Sequence, residues 1–106
     1  MRQPQPLLAF QPQFPVYLLG RNGRPLVSMH ADGKAAIGYS SRELACEAGE
    51  LLLQEGATQI GVLSVSTADR FQQVIAQLAR HDVRYLLWDH VGEEAGSRVI
   101  DLKPPE

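Results

Sequence analysis

Three groups of residues in this chain have types and spacings that could support chemistry. The first is a set of hydroxyls and guanidinium groups. Arg21 and Arg24 share one tight turn, Ser40, Ser41 and Arg42 precede one helical stretch, and Ser66 and Thr67 precede another. A hydroxyl at a helix start lies beside free backbone N–H groups and the positive end of the helix dipole, so the set suits a phosphate or a carboxylate. The plainer alternative is that the serines and the threonine only cap helices while the arginines only solvate a turn. Neither the P-loop pattern nor G-x-G-x-x-G occurs.

The second group is His30, Asp32, His81, Asp82, Asp89 and His90. His-x-Asp and Asp-His pairs can ligate zinc. Here they flank a turn, a helix end and a strand end without the spacing of a metal motif, and no metal is expected. His81 is accounted for by the negative end of a helix dipole. The third group is Cys46 alone. It falls inside a helical stretch with Glu43, Glu47 and Glu50 close in sequence, and carboxylates disfavour a thiolate. G-x-S-x-G is absent, so no nucleophile elbow is present. Tyr85 and Trp88 lie in an apolar strand and read as core, not as a base-stacking platform. No catalytic residue and no cofactor are expected.

The elements that position these residues follow from length and pattern. A chain of 106 residues with 44% hydrophobic content builds one domain with a single core. A net charge of −2 without a basic stripe argues against a nucleic-acid partner. The lone cysteine cannot pair within the chain, which suits a reducing, cytoplasmic setting. The apolar stretch after Met1 is too short for a signal peptide, and no run approaches the roughly 20 residues of a membrane span.

Residues 1–14 alternate Gln and Pro and read as a flexible or loosely docked arm whose Leu7, Leu8, Phe10 and Phe14 could pack on the domain, with PxxP spacing at Pro12 and Pro15. A single domain is expected over 15–102, with 103–106 as a tail. Strands are expected at 16–19, 26–30 and 35–39, joined by turns at 20–24 and 31–34 into an antiparallel meander. Asn22-Gly23 is the preferred type I′ pair. Ser40 to Glu43 fits a capping box, and a helix runs from there to about Glu55. Its buried face is expected to carry Leu44, Ala45, Ala48, Leu51 and Leu52. Cys46, Gly49 and Leu53 are left over on another side. A strand at 59–65 precedes a second helix, capped by Ser66 or Thr67, that buries Phe71, Val74, Ile75, Leu78 and Ala79. A nearly all-apolar strand follows at 83–89, then a polar loop at 92–96 and a short edge strand at 97–102.

The expected fold is thus α/β: a two-layer mixed sheet in the order β-β-β-α-β-α-β(-β), opening with the meander. In such a meander the first and third strands run the same way. Both helices are then expected on one face, with their starts, the Arg21/Arg24 turn and the hydroxyls at one end of the sheet.

The run from Asp32 through Gly33, Tyr39, Ser40, Ser41 and Glu43 resembles the N-terminal domain of SseB-family proteins. There a glycine, a short strand ending in an aromatic, hydroxyl residues, an acidic residue and a helix recur in this order. The similarity extends over roughly Pro15 to Asp89, through a helix opening near Phe71 and Asp82-Val83 before an apolar strand. Where that family usually has a proline-containing ending, Asp89-His90-Val91 stands here. The resemblance implies a non-enzymatic regulatory or interaction module and supplies no catalytic residues.

Two functions are therefore expected as alternatives. One is a non-catalytic protein-binding or regulatory module, self-associating as a homodimer or taking another protein through Cys46, Gly49 and Leu53. The other is an anion-binding domain that uses Arg21, Arg24, Ser40, Ser41, Arg42, Ser66 and Thr67.

Overall fold

The computed structural model describes residues 5–30, 33–89 and 98–102. Asp32, His90, the loop expected at 92–96 and the tail at 103–106 lie outside the described residues, as does the first half of the turn expected at 31–34. The arm supplies β1 (Gln5–Pro6) and a 3-10 turn (Leu7–Ala9). Then come β2 (Val16–Arg21), β3 (Arg24–Pro25), β4 (Val27–His30), β5 (Gly33–Tyr39), α1 (Arg42–Gln54), β6 (Ile60–Val65), α2 (Ala68–Arg80), β7 (Val83–Trp88) and β8 (Arg98–Asp101). The class is mixed α/β, with two helices and one mixed sheet, as expected.

Local chemistry explains most of the boundaries. Asn22 and Gly23 both take positive φ, 54° and 77°, which the turn between β2 and β3 requires. Ser41 caps α1 by accepting from the Leu44 N–H, and Thr67 caps α2 by accepting from the Arg70 N–H. The capping box does not form as expected. The cap falls on Ser41, one residue too late for Glu43 to occupy the reciprocal position. Glu43 instead sits in the first turn, where it complements the helix dipole.

β5 and β7 are parallel, and β2 is antiparallel to both β5 and β6, so β5, β6 and β7 all run one way. This corrects the regular meander, in which β2 and β5 would run together. The cause is one further reversal at Pro25-Leu26. β3 pairs with β2, the chain turns, and β4 pairs with the first half of β5. Pro25 has no N–H with which to extend the β3 ladder.

The helices lie on opposite faces, not on one face. The β5-to-β6 connection steps across β2 in one direction, and the β6-to-β7 connection steps back across β2 and β5 in the other. Right-handed crossovers that step in opposite directions put their helices on opposite sides of a sheet. The side chains of β2 record this alternation. Val16 and Leu18 join the α2 cluster with Phe71, Val74, Ile75 and Leu78, while Tyr17 and Leu19 join the α1 cluster with Ala45 and Ala48.

Of the two states open to the arm, residues 5–14 take the docked one. β1 pairs with β8, and Phe10 is buried against Trp88 with ring centroids 4.8 Å apart. Phe14 packs edge-on against Phe71 at 5.7 Å. The Arg98 guanidinium donates to the Gln5 side-chain oxygen at 2.9 Å and lies over the Phe10 ring. Burying a phenylalanine contributes about 1.5–3 kcal/mol. That gain offsets the ordering of a segment whose prolines already limit its freedom in the unfolded chain.

Candidate functional site

Two places bring candidate residues together. The first is the rim where β5, β6 and β7 end. Both helices start there, Ser41 and Arg42 after β5 and Ser66 and Thr67 after β6. The start of β2 lies between them, so the two helix starts are separated by two strand spacings, roughly 10 Å. Their axes lie on opposite faces, and their dipoles do not converge on one point.

Arg21 and Arg24 are not at this rim, which corrects the expected grouping. Because β2 runs antiparallel to β5, its last residue lies at the far end, opposite Ile60. The Arg21 side-chain N–H donates there to the Thr58 carbonyl at 3.2 Å.

The rim also holds a carboxylate that the spacing alone did not bring to it. Asp89 follows β7 with φ 55°, and its N–H donates to the Gly38 carbonyl at 2.9 Å. The Ser40 N–H donates to Asp89 Oδ1 at 2.7 Å, and the Ser40 hydroxyl donates to Oδ2 at 2.9 Å. Ser40 is therefore engaged within the fold. A fixed negative charge beside the α1 start already takes the place an anionic ligand would use and repels a second anion. Burial, with Asp89 as a second cause, pushes the Tyr39 hydroxyl well above its ordinary range. The signal in the sequence was an aspartate directly after an apolar strand, a residue that tolerates the left-handed conformation.

The second place is the flank of α1 over β6. Ala45, Ala48 and Gly49 face the sheet. Gly49 is buried: a methyl there would meet Ile60 at 3.4 Å and Leu19 at 3.7 Å. This corrects its assignment to the leftover strip. Leu51, expected inside, is 37% exposed, since the closest approach to the sheet falls on the small residues and not on the leucines. Cys46 and Leu53 are exposed, Leu53 at 46%. At about 100° per residue, Arg42, Cys46 and Leu53 lie on the flank just beyond Gly49. Gly49 leans towards Ile60 on β6, so that flank overhangs the outer side of β6.

Among the described residues no strand pairs with the outer edge of β6. The Leu26 N–H donates to the Leu19 carbonyl, on the β3 side of β2, so Leu18 and Gly20 turn their backbone groups to Leu63 and Gly61. Ile60, Val62 and Ser64 then point theirs outward. The edge carries no charge and no proline.

A third feature, which needed the docked arm to exist, is a groove of about 720 Å³ between the arm and α2. Leu7, Leu8, Phe14, Phe71, Ile75 and Ala76 line it, and its walls are uncharged. Among the described residues no cluster of three His, Cys, Asp or Glu side chains could hold a metal. His81 caps the end of α2, and Asp82 follows it with φ 62°. No helix there is long and apolar enough to cross a membrane. No protein-family model matches the chain, and no curated protein matches it.

Proposed function

We propose that this chain is a non-catalytic protein-binding or regulatory module of the SseB-like kind, acting in the cytoplasm through the α1 flank and the β6 edge. One observation carries the reading: exposed Cys46 and Leu53 lie beside a six-residue strand that holds no charge or proline and whose outer edge pairs with no strand among the described residues. Such an edge offers a row of backbone donors and acceptors, and proteins generally blunt it with charge, proline or a cover. A partner strand would supply such a cover. The lone cysteine supports the reducing setting. The anion-binding alternative is the weaker of the two, because the rim carries Asp89 and lacks Arg21 and Arg24.

The test is affinity capture from cells with wild-type and Leu53→Glu baits at equal loading. The reading expects at least one protein, a differently tagged copy of the chain included, to be captured by the first bait and lost with the second. Identical capture by both baits would contradict it.

A further inference from the structure

We propose that the partner on this surface is a second copy of the chain, joined by antiparallel pairing of β6 with β6 about a two-fold axis through Val62. The inference rests on the protein-binding reading and names its occupant. Three observations lead to it.

The first is self-complementarity of the edge. Ile60, Val62 and Ser64 point outward at alternate positions. Antiparallel pairing centred on Val62 sets Val62 against Val62, and Ile60 against Ser64 in both directions. Every outward N–H and C=O then meets a partner in a hydrogen-bonded pair. No other register matches all three residues.

The second is spacing. A two-fold axis perpendicular to the sheet keeps both α1 helices on one face and makes them antiparallel. α1 packs on β2 and β6, so its axis lies between those strands. With strands about 4.8 Å apart, the helix axis stands about 4.8 Å from the two-fold and about 10 Å from its mate. Packed helices lie 8–10 Å apart. The edge that pairs the strands therefore also brings the helices into contact.

The third is what the helices present. Gly49 lies over Ile60, and α1 runs opposite to β6. Val62 is two strand residues, about 6.6 Å, nearer the start of α1, which is about four helical residues and falls level with Ala45, one residue from Cys46, whose side turns to the axis. Cys46 thus faces its own copy across the axis, a small side chain where the helices come closest. By the same geometry Arg42 lies level with Ala48 and Gly49 and within one turn of Glu50 of the second copy, an opposite-charge pairing repeated twice. Subtracting the helix radius leaves the two Cys46 Cα atoms about 5–6 Å apart, within disulfide range.

The test combines mass and crosslinking on the full chain. Sedimentation equilibrium is expected to give twice the chain mass of 11.7 kDa at micromolar concentration. Mild oxidation should then convert the reduced protein to a Cys46-linked dimer at a rate independent of dilution above the dissociation constant. Val62→Pro removes an outward N–H that no described residue accepts, and Arg42→Glu sets like charges beside Glu50 of the second copy from an exposed position. Each should weaken the dimer at least tenfold and slow crosslinking, with circular dichroism unchanged.

A monomeric mass throughout, with crosslinking as slow as for a random surface thiol, would overturn the proposal. So would a dimer that survives in a folded Val62→Pro chain. A monomer that still captures a different protein in a Leu53-dependent way would overturn the homodimer and leave the protein-binding reading standing.

Discussion

Ser40 and Asp89 are joined twice: the serine N–H donates to one carboxylate oxygen at 2.7 Å and its hydroxyl donates to the other at 2.9 Å. This pair ties the end of β7 to the junction of β5 and α1, across 49 residues of chain. It fixes where α1 starts and so where the flank over β6 lies.

Asp89→Ala is expected to destabilise the domain by about 1–2 kcal/mol, the lower part of the range for hydrogen bonds to a charged group because the site is partly solvated. Asp89→Asn keeps the left-handed preference and part of the pairing, so its loss should be smaller. Urea denaturation of both variants, compared at equal slope, measures the difference.

Tyr39 is buried beside Asp89, and its hydroxyl holds its proton well above pH 10. In the unfolded chain it titrates near 10. The raised value means that the folded state keeps a proton that the unfolded state releases. The associated stability is complete below pH 10 and is lost as pH rises above it, by about 1.4 kcal/mol per unit. A Tyr39→Phe chain should lack this alkaline decline. Equal declines in the two proteins between pH 10 and 11.5 would refute the assignment.

Gly38 and Gly49 predict opposite outcomes for the same substitution. A methyl at Gly38 would stand 3.0 Å from both Leu18 and Trp88, so Gly38→Ala should cost about 1–3 kcal/mol through overpacking. At Gly49 the nearest atom is 3.4 Å away, an ordinary contact, and alanine favours the helix by up to about 1 kcal/mol. Thermal melts of the two variants should move in opposite directions.

Phe10→Ala should remove about 3 kcal/mol and release the arm. Limited proteolysis checks this: cleavage within residues 5–14 should become faster in the variant while the rest of the domain resists. Equal cleavage in the wild-type protein would mean that the arm is not docked.

The local elements were legible because their causes are local. The 3.6-residue pattern from Phe71 to Leu78, the Asn22-Gly23 turn and the helix starts near Ser41 and Thr67 each depend on a few adjacent residues. Strand order was not legible, because the reversal at Pro25-Leu26 differs from a plain meander by one turn. That turn decides the direction of β2, the rim on which Arg21 falls and the faces that the helices cover. The exposed pair Cys46 and Leu53 was visible as leftover. Its neighbour Gly49 was misplaced, because only the seating of α1 over Leu19 and Ile60 shows that this residue faces the sheet. The pairing of Asp89 with Ser40 depends on strands far apart in sequence and had no periodic signal.

Amide hydrogen exchange at Val62, followed as protein concentration is raised, tests the central claim most directly. Its N–H points away from β2, so in a lone copy it faces solvent and exchanges quickly. The account predicts slow exchange at Ile60, Val62 and Ser64 that speeds up on dilution, with Leu63 protected throughout. Fast exchange at all three positions at every concentration would contradict it.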